Sequence, residues 1–260
     1  MKKSGNIKNV ILDGSGLAIL FVILLVTMWE ILVKVFDVKT WLLPSPTMIF
    51  LEIVNSFSLI MKHTLITINE IIVGLAIAII MGLLLAWIMV WSRVIERTIY
   101  PIVIASQTIP IIALAPLLLV WVGPEVTSKI IVVVLISFFP IVVTVTDGLR
   151  NIDKEMVAMF KTFGANRWQT LFKLQIPHSL PSMFSGMKVA AVSAVIGAVV
   201  GEWVGGQGGL GWLIKVSGPQ FQTDRVFASI VVLSITAVIL FLIVTVSGKF
   251  VLRNHGPKEN

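Results

Sequence analysis

TLITINEIIVGLAIAIIMGLLLAWIMVW, running from Thr64 to Trp91, holds one charged residue, Glu70. A helix needs about 20 predominantly apolar residues to cross the hydrocarbon core of a bilayer, and this run exceeds that. Similar runs flank it on both sides. They are about Gly14–Val35, with Glu30 near its end; about Ile99–Val122, uncharged but carrying Pro101, Pro110 and Pro116; about Ser128–Thr146; about Met187–Val204, with Lys188 at its start and Glu202 near its end; and about Val226–Ser247, uncharged. The expected fold is all-α: a polytopic membrane protein with about six transmembrane helices. Residues 1–260 read as a single transmembrane domain, with no second soluble domain and no convincing internal duplication. The one echo is that the second and fifth spans each carry a single glutamate, Glu70 and Glu202.

Composition agrees. Of 260 residues, 57% are hydrophobic and 13% charged, where a soluble domain carries about 25% charged residues. Mean hydropathy is +1.00. The net charge of +7 would suit nucleic acid only if the cations shared one face of a soluble fold. Instead they fill short gaps between apolar runs, as topology signals do, and no nucleic-acid partner is expected. Three lysines precede the first span, and Arg93 and Arg97 follow the second. Five cations lie between Arg150 and Lys173, Lys188 opens the fifth span, and three occupy the C-terminal tail. The opposite side holds Lys34, Lys39, Lys62, Lys129, Lys215 and Arg225. The positive-inside rule then places both termini in the cytoplasm. No small-residue cleavage site follows the first apolar run, so it reads as a retained helix rather than a signal peptide. Cysteine is absent, which removes disulfides and thiolate metal sites. His63, His178 and His255 have no ligand spacing, and no metal is expected.

The same charge count puts a polar, basic stretch, KTFGANRWQTLFKLQIPHSLP (Lys161–Pro181), in the largest cytoplasmic loop, about 148–181. Asp153 to Phe163 reads as a short helix with Met156, Val157, Phe160 and Phe163 at helical spacing. Gly164 suits the left-handed conformation that ends it. Asn166 is a good N-cap, and Gln169 three residues on resembles a capping box. Trp168, Leu171, Phe172 and Gln175 then share a face. Pro177 is expected to stop this second helix, and Pro181 to keep it from running straight into the fifth span. Pattern alone leaves two roles open: an amphipathic connector on lipid headgroups, or a rigid knob that takes force from a soluble partner.

Other features carry their own alternatives. Gly206-Gln207-Gly208-Gly209-Leu210-Gly211 fits G-x-G-x-x-G, but a dinucleotide fingerprint needs a preceding strand. Here a membrane helix precedes it, so a tight reversal at the outer mouth is the better reading. No Gly-Lys-Ser or Gly-Lys-Thr occurs, so the chain has no P-loop and binds no cofactor of its own. Glu202 is either a gate or substrate contact beside Trp203, or a carboxylate reaching outer water. Glu70 pairs with a polar group on a neighbouring helix or contacts substrate. Gln107, beside Pro110, lines a pathway or marks a structural kink, since loosened backbone at membrane depth belongs in protein or along a cavity. Trp41, Trp91, Trp121, Trp203 and Trp212 lie near span ends, as interfacial aromatics do. No constellation suggests an enzyme. A proton-coupled secondary transporter using Glu70 or Glu202 is the competing class, though the inverted repeats it would carry are not seen.

The loop resembles the coupling loop of ABC-importer permeases, whose pattern is E-A-A, three residues, Gly, nine residues, I-x-L-P. Gly164 is followed after nine residues by Leu174-Gln175-Ile176-Pro177. The E-A-A positions are degenerate, falling on Ala158, Met159 and Phe160, with Glu155 one turn earlier. LPSP (Leu43–Pro46), QTIPIIALAPLLLVWVG (Gln107–Gly123), SKI (Ser128–Ile130) and FFP (Phe138–Pro140) are similar to permeases for sulfonates, taurine, nitrate and thiamine precursors. GEWVGGQGGLG (Gly201–Gly211) with QTD (Gln222–Asp224) and Glu70 look most like the branch for pyrimidine thiamine precursors and, in some members, riboflavin; an importer of riboflavin, sulfonate, taurine or nitrate is the alternative that the resemblance leaves open. The resemblance implies a multi-pass permease in a prokaryotic cell membrane that imports a small polar solute by alternating access. Its implied partners are a cytoplasmic ABC ATPase dimer that binds the ATP, an extracytoplasmic solute-binding protein, and a second permease chain forming a homodimer. The implied ATPase-coupling residues are Glu155, Ala158, Gly164, Ala165, Trp168, Leu174, Ile176 and Pro177. The implied pathway residues are Glu70, Gln107, Pro110, Glu202 and Trp203.

Overall fold

The computed structural model describes residues 14–255, so the N-terminal lysines and Lys258, counted above as topology charges, lie outside the described residues. Among the described residues the chain is helical, with no strand. In chain order the helices are α1 (Gly14–Val35), α2 (Pro46–Asn55), α3 (Phe57–Trp91), α4 (Arg93–Ser106), α5 (Ile111–Val122), α6 (Val126–Arg150), α7 (Lys154–Thr162) and α8 (Arg167–Thr170). A π-helical turn, Leu171–Gln175, leads into α9 (Ile176–Gly205), followed by α10 (Leu210–Ser217) and α11 (Thr223–His255). Five helical runs are long and apolar enough to cross a membrane: α1, α3, α6, the continuous run Arg167–Gly205, and α11. A bent pair, α4 with α5, makes a sixth if counted as one span.

Two expectations are corrected here. The span expected at Ile99–Val122 is not one helix, because α4 and α5 meet at 96°. Pro101 and Pro116 sit inside their helices, and the break falls at 107–110. There Thr108 and Ile109 donate to the Ala105 and Ser106 carbonyls at 3.1 and 3.3 Å, closing α4 with tight turns. Pro110 then takes an extended conformation directly before α5, a place where its missing N–H costs nothing. The second correction concerns Pro177 and Pro181, which end no helix. Both lie within one helical run, Pro177 in the first turn of α9 and Pro181 inside it. A proline ring clashes with the carbonyl four residues back in a regular α-helix. The wider π turn immediately before Pro177 relieves that clash, so the chain passes from loop to span without a stop.

The chain divides into two compact units. One comprises Met1–Ile60 and Leu213–Ile230; the other comprises Met61–Trp212 and Val231–Asn260. In the first, the LPSP stretch opens α2. Ser45 is the N-cap, its hydroxyl accepting the Met48 N–H at 3.4 Å, and Pro46 stands in the first turn, where proline is favoured. QTD serves as a clamp: Thr223 donates to the Trp41 carbonyl at 2.6 Å, while Arg225 binds Glu52 at 2.8 Å and Gln222 at 2.7 Å. Trp29 packs on Phe227 with ring centroids 5.8 Å apart. Otherwise α1 is mostly exposed, as a lipid-facing helix would be.

In the second unit α6 is the axis. Val133, Ile141, Val142 and Val145 are fully buried along it. Its neighbours approach through small residues. A Cβ at Gly74 of α3 would sit 2.5 Å from Val133 Cγ1, and one at Gly197 of α9 would sit 2.9 Å from Val133 Cα. Ala190, Ala191, Ala194 and Ala198 fill the rest of the α9 face. Membrane helices cannot draw on the hydrophobic effect to associate, so close backbone approach and dispersion replace it. This packing fixes α3, α6 and α9 side by side and lets polar side chains on them meet.

Candidate functional site: a buried polar network and a projecting loop

At the end of the second unit where α3 and α6 begin and α9 ends, polar groups converge. Glu70 on α3 and Glu202 on α9 are both fully buried. A buried carboxylate requires partners, because an unpaired charge in a low-dielectric interior is costly. Lys129, in the first turn of α6, donates to Glu70 Oε1 at 2.8 Å and is itself only 5% exposed. The other Glu70 oxygen, Oε2, is buried without a hydrogen-bond partner among the described residues.

Glu202 is held by the glycine-rich loop that follows it. Thr67 donates to Glu202 Oε1 at 2.6 Å, and the Gly211 N–H donates to Oε2 at 2.5 Å. The Thr67 oxygen also accepts the Leu210 N–H at 2.8 Å. Gly209 donates to His63 Nδ1 at 3.0 Å, which requires an unprotonated Nδ1. The His63 ring stacks on Trp212 at 5.1 Å. Gly209 has φ +105°, and a Cβ there would overlap the Glu202 carboxylate. The G-x-G-x-x-G pattern therefore does make a tight reversal, and it does present a backbone N–H to an anion. The anion is the chain's own Glu202. Of the two sequence readings of this residue, the carboxylate reaching outer water is excluded by its burial.

A cavity of about 600 Å³ opens beside this network, lined by Ile66, Pro124, Glu125, Lys129, Gln207 and Gly208. It shares Lys129 with the ion pair and Gly208 with the loop. Gln107 and Pro110 are not drawn in: both are exposed at the α4–α5 break and take no part in the network's hydrogen bonds. Trp203, next to Glu202, keeps 43% of its surface exposed.

The opposite end of the unit carries the loop. Asp153 caps α7 by accepting the Glu155 N–H at 2.9 Å. Gly164 has φ +78°, and the Gly164 and Ala165 N–H groups return to the Lys161 and Phe160 carbonyls. The Asn166–Gln169 capping box is complete, at 2.8 and 2.9 Å. Trp168 packs on Trp91 at 4.4 Å and stacks on Phe172 at 5.7 Å, fastening α8 to the end of α3. The residues assigned to coupling divide in two. Glu155, Ala158, Gly164 and Trp168 are exposed, while Ala165, Ile176 and Pro177 are half-buried and Leu174 is buried at the junction with α9. Met159 and Phe163 are exposed as well, at 48% and 80%.

The site residues that sequence reasoning missed are Lys129, Thr67 and His63. In the sequence Lys129 reads as a topology charge within SKI. A span carrying a lone buried carboxylate needs a cation, and that requirement was the available signal.

Over residues 74–258 the sequence matches the family described as binding-protein-dependent transport system inner membrane component. The chain belongs to this family of multi-pass membrane subunits and is the permease subunit of an ABC importer. It is 41% identical over 223 residues to the formylaminopyrimidine transport permease protein ThiX of Halalkalibacterium halodurans, covering 85% of this chain and 89% of that one. It is 34% identical over 241 residues to the riboflavin transport system permease protein RibX of Chloroflexus aurantiacus, covering 92% and 89%. Its fold is also like that of a chain in a crystal structure of the MetNI methionine ABC transporter in an inward-facing conformation. The TM-score is 0.66 at 21% identity, over 78% of this chain and 99% of that one.

Proposed function

We propose that this permease carries a pyrimidine precursor of thiamine. The observation that supports it is the 41% identity, over most of both chains, to a permease named for formylaminopyrimidine. In this reading the network end faces outward and receives solute from a binding protein. The loop end and both termini face the cytoplasm, and two copies of the chain enclose the path. A separate ATPase dimer binds ATP and docks on the exposed face of α7 and α8, through Glu155, Ala158, Gly164 and Trp168. Leu174, Ile176 and Pro177 pass the motion into α9.

The mechanism is alternating access. The ATPase dimer shifts the permease between states only because it binds one of them better. The run Arg167–Gly205 joins the loop to Glu202 without a break, so a tilt at α8 reaches the glycine loop directly. Opening the outer end would part Glu202 from Gly211 and Thr67, joining Glu70 to the 600 Å³ cavity that Lys129 already lines. A proton-coupled transporter would have no need of an ATPase.

The test is co-purification of the tagged chain with the ATPase encoded beside it, using wild type, Gly164→Asp and Ala165→Asp. Recovery with wild type and loss with both variants is the expected result. Binding of pyrimidines by the adjacent binding protein, measured by calorimetry, then identifies the solute. Binding of riboflavin or a sulfonate instead would overturn the thiamine-precursor assignment while leaving the permease mechanism intact.

A further inference from the structure

We infer that the loop end of the second unit holds a site for the headgroup of an anionic phospholipid. A cavity of about 710 Å³ lies between the end of α3 and the loop. Its polar wall carries three cations, Arg93, Lys161 and Arg167, and no acidic residue. None of the three has an ion pair among the described residues, where Arg150 takes up the nearby Glu96. Ser92, the residue before α4, also lines the cavity and makes no side-chain cap. Thr170 and Gln175 add polar groups, and Val90, Val94, Val157 and Leu171 supply aliphatic ones. Three cations together with aliphatic side chains in one cavity match a phosphate that carries acyl chains.

Two arguments favour lipid over a protein carboxylate. The first is depth. Arg93 follows directly on a span that ends in Trp91, and tryptophan at a span end marks the headgroup level. Basic pockets between helices at that level suit anionic headgroups. The second is helix geometry. Val157 and Lys161 are four residues apart on α7 and face the cavity. Glu155 and Met159 fall on the opposite side of the same helix at 100° per residue. On α7 the surface left for a soluble partner and the cation-lined cavity are thus separate faces, and only past the helix does a coupling residue, Ala165, border the cavity. A lipid seated here would wedge between α3 and the loop, across the Trp91–Trp168 contact.

Native mass spectrometry of the full chain tests this, with phosphatidylglycerol titrated against phosphatidylcholine. Each cation near a membrane surface is worth roughly fivefold in affinity, so Arg93→Ala with Lys161→Ala and Arg167→Ala should lose on the order of a hundredfold for one phosphatidylglycerol. Lys173→Ala, outside the cavity, should change nothing, and Arg93→Lys with Arg167→Lys should retain most of the binding. These charge changes are at exposed positions, so an unaltered melting temperature is expected and accompanies the comparison. Equal retention of phosphatidylglycerol by wild type and the triple variant would overturn the proposal. So would displacement of the lipid by glycerol phosphate or inorganic phosphate at equal concentration, which would define a soluble-phosphate site. Loss of the bound lipid on adding the ATPase subunit would assign the three cations to that partner instead.

Discussion

The two ends of the second unit are built on opposite principles. At the glycine-loop end, polar groups are buried and partnered with one another: Lys129 with Glu70, and Glu202 with Thr67 and Gly211. At the loop end, the secondary structure is finished locally by an N-cap, a left-handed glycine and a capping box. Its side chains are then left outward, with Phe163 80% exposed. One end is stabilised from within and would be damaged by losing a partner. The other is already rigid and offers a surface. The proposed mechanism, driven from one side and gated on the other, needs that division, because its driven end must bind and release while its gate holds closed.

The contrast can be broken experimentally in order of expected effect. Lys129→Ala leaves Glu70 buried without its cation, and removing one member of a buried pair costs about 3–5 kcal/mol. The melting temperature in detergent should fall sharply, and Lys129→Met combined with Glu70→Met should recover most of it. Thr67→Val removes both the donor to Glu202 and the acceptor for Leu210, which should cost about 1–3 kcal/mol. Thermal unfolding with both single variants and the Thr67→Val, Glu202→Gln double variant would measure the coupling. At the other end Asn166→Ala should cost only about 1 kcal/mol, the usual worth of an N-cap, checked by the same melts. Phe163→Asp should leave stability within about 0.5 kcal/mol, as exposed substitutions do, yet abolish recovery of the ATPase. A large stability loss from Phe163→Asp would show that the loop's outer face is packed after all.

How much of this could be read in the sequence follows the same division. The spans were legible because a bilayer imposes length and apolarity on every crossing helix. The capping box and Gly164 were legible because their partners lie three to five residues away. Glu70 and Glu202 stood out as lone charges, but their partners did not. Lys129 is 59 positions from Glu70 and Thr67 is 135 from Glu202, and only the packing of α3, α6 and α9 brings them together. The prolines misled in two ways. Three in one apolar run indicate a distorted helix, but the break falls only where Thr108 and Ile109 turn back on α4. Pro177 looked like a stop because a helix was assumed to keep an even pitch.

The π turn at Leu171–Gln175 has a consequence for numbering as well as shape. A π turn accommodates one residue more than an α turn, as if a single residue had been inserted and the helix kept whole around it. Every position beyond it is therefore rotated by about 100° relative to an uninterrupted helix. Packing on α6 fixes the register of α9, so the offset sets how the loop is turned relative to the span. Deleting one residue from this turn would leave the loop and the span each intact, but would turn Trp168 away from Trp91. The bulge is thus an indexing device, matching the register of the loop at one end of a 39-residue rod to that of the glycine-rich loop at the other.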